Sequence, residues 1–451
     1  LTSLDPENAA PCAAFSLVAT SGCAVASVRS PNQTAFPGGC PCCGEPLPVP
    51  VLSRCLAVLS LLACGEAALA FDPGQRLAFV TSVQGTANLQ SWVDSGGHTG
   101  LAAADAICVA RATAAGLPAP DQFDAWLSDS SDDAYCRLHG LHGQRAGNCG
   151  QASLPKSGGP WFRVDGAAFA DDVVDLTDNG QVFRTLDIDE YGQPSPATLA
   201  WSQTFGNGAK VSFYTTCSDW SSAAAASSSL AGSLAATTEA WSGAQGLNCS
   251  NPAPLYCLQK GTGGAVPLTG HRGRPAFLSG NGYKGNFGAY AAAGGQTGLA
   301  AADALCRAEA ASLGLPRPAT FRAWLSDGVV SPASRFANDG PWYRADGVRV
   351  ADGLSQLASA TPFQPLNLTP GNNIGYFATS IGVWTGLNAD GSPAAETCAG
   401  WTLDDAGSSG ADGLPNRRNP DWRGIGPTAC SGTWGLYCLA DNDTLYAAGF
   451  Q

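Results

Sequence analysis

The sequence predicts an α+β protein built from two tandem copies of one module. Three observations lead there. Blocks of sequence recur in the same order, each copy opens on a helical period and continues in short alternating segments, and the ten cysteines beyond residue 70 can pair completely.

The repeat is read directly. TGLAAADAICVARATAAGLPAPDQFDAWLSD, from Thr99, matches TGLAAADALCRAEAASLGLPRPATFRAWLSD, from Thr297, without a gap. GPWFRVDG at Gly159 then pairs with GPWYRADG at Gly340, TCSDW at Thr216 with TCAGW at Thr397, and LYCLQ at Leu255 with LYCLA at Leu436.

The first block predicts an amphipathic helix, because Leu101, Ala104, Cys108 and Ala112 recur on one stripe, as do Leu299, Ala302, Cys306 and Ala310. Gly116 and Gly314, each followed by Leu-Pro, supply the stop. FDAWLSD and FRAWLSD alternate like a half-buried strand, and WFRVDG and WYRADG place an Asp-Gly turn after a short strand, which predicts a hairpin. The first copy carries an insertion, roughly 130–156, and its added Cys136 and Cys149 predict a local disulfide. Residues 261–275, rich in Gly and ending in HRGRP, read as a linker between a first domain at 71–260 and a second at 276–440, with 441–451 as a tail.

Composition narrows the function. Charged residues are 13% of the chain and the formal net charge is -13, a field that repels phosphate backbones and makes nucleic acid a poor partner. Seventeen cysteines point to an oxidising compartment. The stretch from Val51 to Gly74 has one cation at Arg54, a short apolar run and then small residues, the order of a bacterial export signal. Ala68-Leu69-Ala70 suits ordinary cleavage before Phe71, whereas Leu61-Leu62-Ala63-Cys64 suits a lipoprotein box that would lipidate Cys64. Residues 51–70 are therefore expected to be an export or lipoprotein signal, and 1–50 an untranslated upstream or disordered segment. In the competing reading, 51–70 is a buried helix of an N-terminal domain, with Cys40, Cys42 and Cys43 in disulfides or on a metal.

Taken in order, G-L-A-A-A-D-A-x-C, A-W-L-S, W-[FY]-R-x-D-G, T-C-x-x-W and the closing C-x7-C with L-Y-C resemble the endostatin-like, C-type-lectin-like domain of leptospiral surface lipoproteins. The endostatin module of collagen XVIII shares the early helix and the A-[FW]-L-S strand. The resemblance covers about 77–260 and 276–440. It implies a C-type-lectin-like fold of one early helix, short antiparallel strands and long stapled loops in each copy. The disulfides it implies are Cys108–Cys257 with Cys217–Cys249, and Cys306–Cys438 with Cys398–Cys430. In the chain-entropy account the long closures are worth on the order of 4 kcal/mol each and the short ones about 3. For function it implies an adhesin-like bacterial surface protein that binds host matrix or plasma proteins.

The calcium-lectin motifs of that fold do not stand here. The nearest strings are Gln193-Pro194-Ser195, Gln364-Pro365-Leu366, Trp241-Ser242-Gly243 and Trp422-Arg423-Gly424, which lack the oxygen ligands a hard cation requires. His139 and His142 in the insertion read as a polar loop held by its disulfide, because two histidines alone do not close a metal site. The pairs Asp132-Asp133, Asp171-Asp172 and Asp404-Asp405 read as solvated turn charge. No G-x-S-x-G, H-E-x-x-H or P-loop string occurs, so no enzyme, metal or cofactor is expected.

Trp126, Trp161 and Trp220, with Trp324, Trp342 and Trp401, occur in both copies and are expected in the core. Trp201, Trp241, Trp384 and Trp422, with Arg417, Arg418 and Arg423, are the candidate ligand anchors. The expected function is thus binding of an extracellular protein or glycan at the cell surface or outside it, with membrane contact only through a lipid anchor. The alternatives are a self-associating structural component of the envelope or matrix and a carbohydrate-binding lectin.

Overall fold

A computed structural model describes residues 75–177, 182–263, 272–359, 361–370, 375–376, 382–442 and 446–447. Segments 1–50 and 51–70, with the lipidation candidate Cys64, lie outside the described residues. Ala68–Gln451 forms one compact unit, and both copies belong to it.

In the first copy the elements are β1 (Arg76–Val80), α1 (Gly100–Ala114), β2 (Phe123–Ala125), α2 (Ala134–Leu138), β3 (Trp161–Arg163), β4 (Ala168–Ala170), α3 (Val173–Thr177), β5 (Leu199–Trp201), β6 (Ser228–Ser233), β7 (Gln245–Asn248) and β8 (Tyr256–Gln259). The second copy has β9 (Arg272–Leu278), α4 (Gly298–Ser312), β10 (Phe321–Ala323), β11 (Trp342–Tyr343), β12 (Arg349–Ala351), α5 (Leu354–Ser359), β13 (Leu368–Thr369), β14 (Gly375–Tyr376), β15 (Val383–Trp384), β16 (Ser409–Gly413), β17 (Gly426–Ala429), β18 (Tyr437–Ala440) and β19 (Tyr446–Ala447).

The main sheets have the same order, β2-β8-β1-β3-β4 and β10-β18-β9-β11-β12, with β19 added beside β9. Each copy also has a three-stranded sheet, β5-β6-β7 or β15-β16-β17. The chain is therefore mixed helix and strand. Strand β9 begins at Arg272, inside the expected linker, and Arg274 and Pro275 pair in parallel with Trp342 and Tyr343, so the second sheet starts earlier than the 276 boundary.

The central strands explain the cores. Successive side chains of a strand point to opposite faces, so a strand covered on both sides is apolar throughout. Leu77 and Phe79 of β1 face a cluster with Ala104, Ile107 and Cys108 of α1, while Ala78 and Val80 face Trp126, Trp161 and Trp241. Phe277 of β9 likewise joins α4, and Ala276 and Leu278 join Trp324, Trp342 and Trp422.

Both long helices end as the glycines predict. Leu117 N–H donates to Ala112 O at 3.0 Å and Gly116 N–H to Thr113 O at 3.0 Å; Leu315 and Gly314 repeat the pattern on Ala310 and Ala311. That is a Schellman end with glycine in the left-handed position. The repeated Asp of L-A-A-A-D is structural: Asp105 accepts from Ala125 N–H and Asp303 from Ala323 N–H, both at 3.0 Å, docking helix to strand. The W-[FY]-R-x-D-G segments form the predicted hairpins β3–β4 and β11–β12. The A-W-L-S segments are strand only as far as Ala125 and Ala323; the alternation then breaks, because Trp126, Leu127 and Ser128 are all buried.

The T-C-x-x-W motif makes a left-handed turn, with φ of 51°, 56°, 50° and 63° from Cys217 to Trp220. Non-glycine residues there carry a steric cost, so the turn must be held from outside. Thr216 Oγ1 accepts from Asp219 N–H at 3.0 Å, Trp220 Nε1 donates to Ser128 O at 2.9 Å, and Cys217 is bonded to Cys249. Gly100 and Gly298, at positive φ, open the long helices where a Cβ would come within 3.1 Å of the turn carbonyls Asp219 O and Gly400 O. This accounts for the invariant Thr-Gly that starts both blocks.

The copies differ at a buried carboxylate of the small sheet. Trp201 pairs with Ala231 in the first three-stranded sheet, and Trp384 pairs with Asp412 in the second. Asp412 is 5% exposed, and burial raises its carboxyl to about 6. A folded-state value above the ordinary 3.8 means that the stabilising contribution is fully present below about pH 4 and is lost as pH rises through 6. Asp412→Ala is therefore expected to stabilise the protein at pH 7.5 by on the order of 2 kcal/mol. Urea unfolding at pH 4.5 and 7.5 checks this: the gain should shrink toward zero at the lower pH, and a pH-independent difference contradicts the assignment.

Candidate binding surface

The ten described cysteines are bonded as Cys108–Cys257, Cys136–Cys149, Cys217–Cys249, Cys306–Cys438 and Cys398–Cys430, the same pairs the sequence reading anticipates. They tie α1 to β8 and α4 to β18, and they imply an oxidising compartment. Among the described residues no helix is long and apolar enough to cross a membrane.

The candidate anchors do not form an exposed patch, and this corrects the sequence reading. Trp201, Trp241 and Trp384 are fully buried and Trp422 is 3% exposed. Trp201 Nε1 donates to Gly85 O at 3.0 Å and Trp384 Nε1 to Tyr283 O at 2.7 Å, so this pair closes the edge of each core. Trp241 packs edge-on to Tyr256 at 5.4 Å, and Trp422 lies 5.6 Å from Tyr437 at the equivalent place. Arg423 is buried over Trp422 and donates to Ala358 O and Ala389 O, both at 3.0 Å.

Arg417 and Arg418 lie in a seam where equivalent segments of the two copies meet. Ala236 and Arg417 form an antiparallel bridge, Thr237 N–H donates to Asn416 O at 3.0 Å, and Arg418 N–H donates to Ala235 O at 2.9 Å. Arg418 pairs with Asp187 at 2.8 Å, Asn416 Nδ2 donates to Thr238 Oγ1 at 3.0 Å, and Thr185 N–H donates to Gln364 Oε1 at 2.8 Å. Arg344, fully buried, binds Asp346 at 2.6 Å, Asn367 Oδ1 at 2.9 Å and, across the seam, Phe183 O at 2.6 Å. Arg418 and the backbone of Arg417 are thus used in joining the copies, and Arg423 within the second copy.

Among the described residues the exposed aromatics are Phe213, Tyr191, Phe363 and Phe205, and two of them share one segment. Phe213 is 68% and Phe205 40% exposed, both on the irregular segment between β5 and Cys217, where Phe213 contacts the Tyr214 ring at 5.1 Å. This segment is pinned from below. Buried Gln203 donates to Val211 O at 3.2 Å and Tyr214 O at 3.0 Å, while its Oε1 accepts from Ser229 Oγ at 2.7 Å and Leu230 N–H at 2.8 Å.

The insertion pins it from the side. Asp133 Oδ1 accepts from Lys210 N–H at 2.8 Å, Tyr135 N–H donates to Gly208 O at 3.0 Å, and the Cys136–Cys149 bond holds the insertion together. His139 Nδ1 meets Tyr135 O at 2.8 Å and His142 Nδ1 meets Asp132 at 2.9 Å, so the two histidines serve separate contacts. Among the described residues no group of three or more His, Cys, Asp or Glu is arranged to hold a metal. The Asp132 carboxyl is held below its usual range, chiefly by hydrogen bonds from His142 and Gly143 N–H working against desolvation.

Sequence reasoning missed Phe205 and Phe213 because it favoured tryptophan and arginine. The available signal was their lack of any counterpart in the second copy, whose equivalent stretch, TGLNADGSPAAET, holds no aromatic residue. Compared with protein-family models, the chain matches none. A search of curated proteins likewise gives no match.

Proposed function

We propose that this protein is a non-enzymatic, exported or surface-anchored binding protein of two C-type-lectin-like, endostatin-like copies, and that it engages an extracellular protein or glycan through the first copy. The observation that carries the reading is the exposed pair Phe205 and Phe213 on a segment anchored by Gln203 and by the disulfide-held insertion. A pre-ordered loop with an exposed aromatic loses little entropy on binding, and aromatic anchors dominate binding energy at interfaces. The second copy, which lacks the insertion and has no aromatic on the equivalent segment, acts as a buttress in this reading.

The test is binding of the full chain to panels of matrix proteins and glycans, with and without chelator, for wild type, Phe213→Ser and Val329→Ser. Phe213→Ser is expected to weaken binding by about tenfold or more. Val329→Ser, at an 86% exposed site of the second copy, should leave it unchanged, as should chelator. Equal binding by wild type and Phe213→Ser removes the assigned surface. Concentration-dependent self-association on size exclusion, abolished by Phe213→Ser, would move the reading to the self-associating structural alternative.

A further inference from the structure

The two copies meet as the halves of a two-fold dimer do. Residues 216–259 and 397–440 align without a gap, which makes Arg417 the counterpart of Ala236 and Arg418 that of Thr237. Ala236 and Arg417 bridge each other, and the bonds that flank the bridge are mates: Thr237 N–H donates to Asn416 O at 3.0 Å and Arg418 N–H to Ala235 O at 2.9 Å. The side chains repeat the symmetry. Asp187 and Asn367 are counterparts, since Arg163 donates to Asp187 Oδ1 at 2.8 Å and Arg344 to Asn367 Oδ1 at 2.9 Å. Across the seam Arg418 reaches Asp187 at 2.8 Å, and Asn367 Nδ2 donates to Thr237 Oγ1 at 3.2 Å.

An interface in which equivalent segments pair with each other is isologous, and a face of that kind accepts the matching face of another molecule as well as its own. The side chains select the mixed pairing. Two first copies would set Asp187 opposite Thr237 on both sides, and two second copies would set Arg418 opposite Asn367 and one Arg417 against the other. Each like pairing therefore forfeits the Arg418–Asp187 ion pair. The connection between the copies is short, residues 264–271, with Gly261 and Gly263 bonded to Gly159 before it and β9 starting at Arg272 after it.

We propose that the seam is an exchange interface whose partner is a second molecule of this chain: the first copy of each molecule docks on the second copy of the other, giving a reciprocal dimer with two seams. The closed monomer and this dimer make the same seam contacts and keep the same disulfides within each copy, so concentration decides between them. For a connection of this length the effective concentration within one chain is on the order of 1 mM, which puts about a tenth of the molecules in exchanged dimers at ~0.1 mM chain. The inference does not rest on the surface at Phe213.

The test refolds two full-length variants together from urea, without reductant so that the native disulfides persist: Ala236→Cys and Arg417→Cys. The bridge is a non-hydrogen-bonded antiparallel pair, whose Cα atoms stand about 4.5 Å apart, within disulfide reach. The two new thiols sit in different molecules and meet only in an exchanged dimer. A covalent dimer of twice the chain mass is therefore expected in the mixture, above the level given by wild type or by either variant alone, and its share should fall nearly in proportion to dilution. A second measurement needs no substitution: wild-type chains carrying two different affinity tags should co-purify when refolded together and not when mixed after folding. Absence of the dimer in both measurements overturns the proposal. So does cross-linking of Ala236→Cys alone to the level of the mixture, which means that first copies pair with each other, or equal co-purification of chains mixed after folding, which means surface contact in place of exchange.

Discussion

Replacing Cys306 and Cys438 together by serine is expected to cost about 4–5 kcal/mol. The bond joins residues 132 apart, fixing the middle of α4 to β18 with a Cα–Cα distance of 5.5 Å, and both cysteines are buried in the second core. Its removal frees a long closed loop in the unfolded chain and leaves two small polar groups in an apolar cluster. Urea unfolding of the oxidised double variant measures the loss. The pair Cys398 and Cys430, separated by 32 residues, should cost about 3 kcal/mol. A loss below about 1 kcal/mol for Cys306 and Cys438 would contradict the role of this bond as the staple of the second copy.

Arg344→Ala is expected to cost about 3–5 kcal/mol and to separate the unfolding of the two copies. The side chain is fully buried, and truncation removes the one group that donates to Asp346, Asn367 and the carbonyls of Phe183 and Pro365 together. Wild type should unfold in one transition by calorimetry, because the seam couples the halves, and the variant in two. Lysine should not rescue it, since an ammonium cannot reproduce the planar fork that reaches a carboxylate, an amide and two carbonyls at once. A single wild-type-like transition in Arg344→Ala would show that other contacts carry the coupling.

Legibility followed locality. The long helices, their glycine ends and the Asp-Gly hairpins were readable because each depends on residues within a few positions of one another. The Cys136–Cys149 pair was readable for the same reason, both partners lying in one inserted segment. The four longer bonds were not dictated by spacing; the pairing came with the family resemblance. Even in a strand the local pattern reached only so far, as the burial of Trp126, Leu127 and Ser128 together attests.

The candidate site was the least legible part. Trp422 beside Arg417, Arg418 and Arg423 reads as a binding patch in one dimension, since large cationic and aromatic residues clustered in a loop are typical anchors. Trp422 is covered by Trp324 and Tyr437, Arg423 by the backbone of residues 358 and 389, and Arg417 and Arg418 meet a segment near residue 236, all outside the local stretch.

From its residues alone the chain determined the repeat, the start and stop of each long helix, the hairpin turns and the oxidising setting, because these rest on periodicity, backbone conformation and composition. Only the tertiary structure decided which arginines and tryptophans remain available, because exposure is set by what packs against a side chain. For Arg417 and Arg418 part of that cover comes from the other copy, and for the tryptophans and Arg423 it comes from distant segments of their own.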